Sequence, residues 1–216
     1  MTSLKIEIVS DVVCPWCVIG YKNLQKAIKK LQNQMEFDVS WRPYELHPEI
    51  PEDGFDKELY MKQKFGNSSR SNFTSNIKEL GESLGFEFNF SKSKTIPNTF
   101  KAHRFIWYIK DQELQTKLSE ALFYAYFTEG KDIGSTKVLG QIGVDLGLDQ
   151  KEIIKFLDSK EGGKEVADLE INAMESAITS VPTYIINDRF ILHGGQESNT
   201  FVSFFKRVET ILQKEN

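Results

Sequence analysis

Along the first forty residues the pattern of apolar and polar side chains changes period twice. Leu4, Ile6 and Ile8 share one face of LKIEIV, residues 4–9, and predict a strand of period two. Tyr21, Leu24, Ile28 and Leu31 then recur at helical spacing and predict a helix over 15–34. Phe37, Val39 and Trp41 alternate again in EFDVSWR, residues 36–42, and predict a second strand. Strand, helix and strand with a crossover of this length form a βαβ unit, so the two strands are expected to run parallel.

From about 54 to 177 the pattern is helical throughout. Leu59, Tyr60 and Phe65 begin it; Phe73, Ile77, Leu80 and Leu84 follow and close on Gly85 as a C-cap. Further helices are predicted over 98–110, 112–128, 135–146 and 162–177, and Asp149 with Glu152 makes a capping-box pattern for one between them. The stretch 86–97, FEFNFSKSKTIP, reads as a loop. Strand patterns return at 182–186 and 190–192, flanking a hairpin turn at Asn187, Asp188 and Arg189. Phe201, Phe204, Phe205, Val208 and Leu212 then make a closing amphipathic helix.

Composition adds exclusions. Apolar residues are 40% and charged residues 27% of 216, as in an ordinary globular chain, and the net charge is −4. Without a lysine–arginine cluster, no nucleic-acid footprint is expected. Without a long apolar run, no membrane span is expected. MTSLKIEIVSD lacks the apolar segment of a signal peptide, so a cytoplasmic location is expected, where thiols stay mostly reduced. The sequons at Asn67 and Asn72 carry no meaning in that setting.

The two cysteines, Cys14 and Cys17, stand together in SDVVCPWCVIGYKNL. Cys14 ends a strand segment and Pro15 opens the helix, a position proline favours. Cys14 is then the N-cap, and its sulfur is expected to take the N–H groups of Trp16 and Cys17 at the positive end of the helix dipole. That setting favours a thiolate at Cys14 and leaves Cys17 shielded and protonated. Cys14 attacks and Cys17 resolves. The histidines His47, His103 and His193 are far apart and no second CxxC exists, which argues against zinc, and no metal is expected.

With CPWC, VPTY and the helical middle in place, the chain resembles the DsbA-like thioredoxin-fold oxidoreductases, and among them the FrnE-like branch. The similarity runs through SDVVCPWCVIG, WRPYELHP, PNTFKAHRF at 97–105, ALFYAYFTEGKDIGS at 121–135, SVPTYIIN and ILHGGQ. The resemblance implies an α/β, thioredoxin-like fold (βαβ … ββα) interrupted by an all-helical insertion. It divides the chain into 1–50, a helical 51–178 and 179–216. It implies Cys14 as nucleophile, Cys17 as resolving thiol and Pro182 as a cis-proline facing them, with the Val181 backbone offered to a substrate chain as a short strand mimic. Pro15, Trp16 and Val181 would line the site. Tryptophan stands at position 16 where strongly oxidising relatives carry histidine. It holds no positive charge beside the thiolate, so a less oxidising couple is expected.

Glu45 follows the second strand, near where thioredoxin-like proteins place an acid that assists the resolving thiol; a solvated strand end explains it equally well. Asn98 and His103 lie in the insertion and face the site in the resembled family, whereas helix capping or ordinary hydrogen bonding also accounts for them and for Arg104. Gly194, Gly195 and Gln196 read as a turn. The faces built from Phe105, Phe123, Phe127, Phe201, Phe204 and Phe205 read as core, with some open to an apolar groove. The expected function is a thiol–disulfide oxidoreductase or isomerase acting on peptide, protein or small-molecule disulfides, as monomer or homodimer. No cofactor is bound beyond the redox-active Cys14–Cys17 disulfide, and glutathione or a thioredoxin-system reductant serves as electron partner. The alternatives are a glutathione-using enzyme related to 2-hydroxychromene-2-carboxylate isomerase or kappa-class glutathione transferase, whose site typically has serine at the position of Cys14, and a chaperone-like binding module.

Overall fold

The computed structural model describes residues 1–65, 71–176 and 178–215. The predicted βαβ unit is β1 (Thr2–Ser10), α1 (Pro15–Leu31) and β2 (Met35–Pro43), and β1 and β2 pair in parallel from Thr2 opposite Met35 to Ser10 opposite Pro43. Parallel strands need the crossover that α1 provides. The middle holds β3 (Phe55–Asp56), α2 (Lys57–Phe65), α3 (Ser71–Ser83), β4 (Thr95–Ile96), α4 (Phe100–Tyr108), α5 (Gln112–Tyr124), a π-helical turn (Ala125–Glu129), α6 (Thr136–Asp145), α7 (Gln150–Asp158) and α8 (Gly163–Glu175). The chain closes with β5 (Thr183–Ile186), β6 (Phe190–His193) and α9 (Ser198–Glu215). The main sheet has the order β2-β1-β5-β6, with β5 antiparallel to both neighbours.

β1 lies at the centre of this sheet, which explains its change of character along its length. Leu4, Ile6 and Ile8 face the large core beneath α1 and α9. Val9 faces the other way, into a small cluster with Ala173 of α8 and Ile178 beyond the end of that helix. The hairpin turn between β5 and β6 places Asn187 and Asp188 at positive φ, where short polar side chains are tolerated.

The middle follows its helical pattern with local departures. It is helical except for the two-residue pair of β3 with β4, which joins Phe55 to Ile96 and Asp56 to Thr95. The predicted helix over 112–128 widens into a π turn at its end, where the Asn89 N–H takes the Phe127 carbonyl at 2.7 Å. The predicted loop 86–97 is an aromatic plug: Phe86 and Phe88 are buried, Phe88 stacks on Phe90, and both meet the Phe127 ring edge-on. Leu59 and Leu80, assigned to apolar stripes by their spacing, stay exposed. The side chains of Phe65, Asn72 and Phe73, the sequon asparagine Asn67, and residue 177 at the end of the predicted 162–177 helix lie outside what the structure describes. Among the described residues, no helix is long and apolar enough to cross a membrane.

Candidate active site around Cys14 and Cys17

The site begins where β1 runs out. Asp11 turns the chain: its carbonyl accepts the Cys14 N–H at 3.1 Å, its Oδ1 accepts the Val13 N–H at 3.2 Å, and its Oδ2 accepts the Leu46 N–H at 2.7 Å. Cys14 has extended backbone as N-cap of α1, and Pro15 fills the first helical position. The Cys14 side chain makes no cap hydrogen bond, which corrects the expected capping geometry. The Cys17 N–H is taken instead by the Cys14 carbonyl at 3.0 Å, and the Cys14 thiol turns outward toward the Val181 carbonyl, 3.7 Å away. The Val181–Pro182 peptide is cis.

Both cysteines are free thiols, Cys14 4% and Cys17 1% exposed, so Trp16 at 37% is the open edge of the motif. Burial pushes the Cys17 thiol up, and the neighbouring Cys14 sulfur adds to the rise through a hydrogen bond and its charge. The Ser10 hydroxyl and the Asp11 backbone act against this, more weakly. Cys17 is thereby held protonated.

A second loop walls the site. The Gly194 N–H donates to the Pro182 carbonyl at 2.8 Å. The Thr183 hydroxyl donates to the Ser180 carbonyl at 2.8 Å, so the 2.9 Å contact with His193 requires Nδ1 of the ring to be the donor. These bonds fasten the Val181–Thr183 and His193–Gln196 segments together. Gly195 meets Trp16 so closely that a Cβ there would stand 3.1 Å from both the indole ring and the Trp16 carbonyl. The expected turn at Gly194 and Gly195 is present, and it packs against Trp16 of the motif.

On the other side of the motif, a cavity of about 250 Å³ opens beside Val13 and Pro15. Tyr60, Phe90, Ile96 and Phe127 form its walls, with His47 and Lys57 among them. Lys57 donates to the Phe90 carbonyl at 2.8 Å, and burial lowers its pKa. A larger hollow lies at the opposite end of β1, between Thr2, Gln34 and Glu209, and contains none of the expected site residues.

Glu45 and His103 come together behind the motif with two acids that the sequence did not single out, Asp11 and Glu170. His103 Nε2 stands 3.5 Å from Asp11 Oδ1, near enough for an ion pair but short of hydrogen-bond geometry. Burial would lower the His103 pKa, but Asp11, then Glu170 and Glu45, outweigh it and raise the pKa. Burial raises Glu45, with the charge of Asp11 adding and His103 opposing. Burial likewise pushes Glu170 up to about 7, with Glu45 and Asp11 adding and His103 opposing. Asp11 was visible in principle, because an aspartate two residues before a turn position is an Asx-turn pattern. Glu170 carried no local signal. Among the described residues, no cluster of histidine, cysteine and acid side chains is arranged to hold a metal ion.

Asn98 and Arg104 do structural work. Asn98 donates to the Ile50 carbonyl at 2.8 Å and accepts from the Phe100 N–H at 3.1 Å, and it lines a separate cavity with Glu45, Lys101 and Arg104 rather than the one beside Pro15. Arg104 gathers the carbonyls of Phe156, Leu157, Ser159 and Glu161 at the end of α7, the helix-capping role expected of it.

Comparison with known proteins agrees with this arrangement. Residues 5–206 match the family model of the DSBA-like thioredoxin domain. The chain is 29% identical over 195 residues to the uncharacterized protein YwbO of Bacillus subtilis (strain 168), covering 88% of this chain and 90% of that protein. A probable DsbA oxidoreductase of Streptomyces coelicolor superposes with a TM-score of 0.84 at 22% identity, over 94% of this chain and 89% of the other. The cytosolic disulfide reductase DsbM of Pseudomonas aeruginosa, solved with GSH, superposes with a TM-score of 0.65 at 18% identity, over 97% and 99%. At these identities the two structures establish the shared fold.

Proposed function

Because the chain belongs to the family of DsbA-like thioredoxin domains, we propose that it is a thiol–disulfide oxidoreductase whose redox couple is Cys14 and Cys17. The observation that carries this reading is the meeting of the helix-start cysteine pair with the Val181–Pro182 segment, the Cys14 sulfur lying 3.7 Å from the Val181 carbonyl. The substrates are disulfides of peptides, proteins or small molecules, and the setting is the cytoplasm.

In the reducing direction Cys14, as thiolate, attacks one sulfur of the substrate disulfide. A Cys14–substrate bond forms, the substrate S–S bond breaks, and the departing sulfur keeps the electron pair and takes a proton from water. Cys17 then loses its proton and attacks the Cys14 sulfur. The second substrate sulfur leaves as a thiolate, and the protein keeps the Cys14–Cys17 disulfide. A thiol reductant returns two electrons. Glutathione suits this role, and the GSH-bound structure of DsbM supports naming it. The same steps in reverse oxidise a substrate dithiol.

Val181, Pro15 and Trp16 border the attacked sulfur, and the cavity beside Pro15 receives the group attached to it. Insulin reduction with glutathione as electron source tests the reading. Cys17→Ala is expected to accumulate a mixed disulfide at Cys14. A protein that neither reduces insulin nor forms a reversible Cys14–Cys17 bridge refutes it.

A further inference from the structure

Two buried hydroxyls within electrostatic reach of Cys17 have no partner in full hydrogen-bond geometry, those of Ser10 and Tyr184. Ser10 is 4% and Tyr184 0% exposed. Buried hydroxyls are almost always paired, so two orphans around one thiol call for a physical reason. Both belong to the central strands: Ser10 ends β1, and Tyr184 in β5 pairs with Ile8 of β1. The Tyr184 ring is held edge-on against Phe201. Its hydroxyl reaches under α1 to Gly20, one turn beyond Cys17 on the same helix face. A Cβ at Gly20 would collide with that hydroxyl and stand 3.1 Å from both Pro182 Cγ and Gly195 Cα. Glycine at 20 thus makes the notch that lets the hydroxyl approach the cysteines. Burial, then the charge of Cys17 and of Cys14, raises the Tyr184 pKa well above the ordinary tyrosine range, so the phenol stays a proton-bearing donor. The Ser10 hydroxyl is close enough to Cys17 to lower the pKa of its thiol, without meeting full hydrogen-bond geometry.

We propose that Tyr184 and Ser10 form a hydroxyl cradle that hydrogen-bonds the Cys17 sulfur when it is a thiolate, and so sets the rate at which the mixed disulfide resolves. The proposal rests on the redox reading above. In resolution the Cys17 proton passes to water and the sulfur's electron pair forms the bond to Cys14. The substrate sulfur leaves with the pair of the broken bond and takes up a proton. In the opposite direction Cys17 is the leaving thiolate when an external thiolate attacks Cys14. The hydroxyls neither gain nor lose a proton in either direction. They supply the donors that a thiolate 1% exposed to water lacks. Their orphan state in the thiol form is the cost of having them ready for the charged form.

The test uses the mixed disulfide between Cys14 and glutathione, prepared on the full chain, and follows intramolecular release of glutathione as a function of pH. Tyr184→Phe keeps the ring and removes one unpaired atom. It is expected to slow release about tenfold at neutral pH and to move the pH profile upward, as loss of a hydrogen bond to a charged group requires. Ser10→Ala is expected to act in the same direction, and the double variant more strongly. Alkylation of Cys14 by iodoacetamide is expected to keep its rate in Tyr184→Phe. Release at the wild-type rate with the same pH midpoint, or slowing that is equal at every pH, would overturn the cradle while leaving the redox pair intact. If the wild-type protein itself releases no glutathione, the redox reading falls and the cradle with it.

Discussion

Two buried polar regions lie on either side of the turn that leaves β1, and they are built in opposite ways. Around Cys17 lie two buried hydroxyls without a hydrogen-bond partner, Ser10 and Tyr184. Around His103 it has gathered three acids, Asp11, Glu45 and Glu170, against one imidazole. Asp11 joins the two, since its backbone serves the cysteine turn and its carboxylate faces His103. A thiol can be hidden at little cost while neutral, so under the proposed redox cycle its region carries charge only during turnover. Acids hidden together must share protons, so their region responds to pH at rest. The first should carry turnover and the second the pH dependence of stability.

The sharpest break of this comparison is Cys14→Ser. It is expected to abolish insulin reduction while leaving the urea midpoint near that of the parent protein. Residual turnover above background would sink the assignment of the nucleophile. Next in size is His103→Gln, which removes the imidazole that faces three acids and whose pKa they raise. Breaking a buried ion pair on one side costs about 3 kcal/mol, read as a urea midpoint lower by about 1 M. An unchanged midpoint would show that the acids do not depend on His103.

Trp16→His tests the cysteine region alone. A cationic ring beside Cys14 stabilises the thiolate and hence the reduced form. The couple should become more oxidising by roughly 30 mV, about tenfold in the exchange equilibrium with glutathione. A shift toward a more reducing couple would contradict the electrostatic account of position 16.

The smallest effect belongs to Glu170→Gln. Glu170 holds its proton more tightly folded than unfolded, its value rising from near 4.5 to about 7. Its favourable contribution is therefore complete below about pH 4.5 and is lost as pH rises through about 7. His103, also raised, has the same sign. The glutamine variant should match the parent at pH 4.5 and exceed it at pH 8 by about 1 kcal/mol after allowance for solvent screening, or about 2–4 °C in Tm. A variant less stable than the parent at pH 8 would reverse the sign of this account.

The parts that were legible in the chain are those whose pattern is local. Period two in LKIEIV, period 3.6 from Tyr21 to Leu31, and proline directly after Cys14 depend on neighbours a few residues apart, and they placed β1, α1 and the cysteine motif at their junction. The loop at 86–97 was legible, apart from the short strand Thr95–Ile96, but the burial of its phenylalanines was not, because they alternate with polar residues and match no helical stripe. They are buried by Phe127, some forty residues away.

The sequence by itself determined the strand–helix junction that carries Cys14 and Cys17 and the parallel pairing of β1 with β2, because spacing decides which face of an element is apolar. Tertiary structure alone decided what those faces meet. It turned the Cys14 sulfur to the Val181 carbonyl instead of the helix amides, brought Gly195 against Trp16, slid the Tyr184 hydroxyl into the notch at Gly20, and set Glu170 beside His103. The physical reason is that hydrogen bonding and desolvation depend on distance in space, and residues far apart in the chain carry no record of that distance in their local pattern.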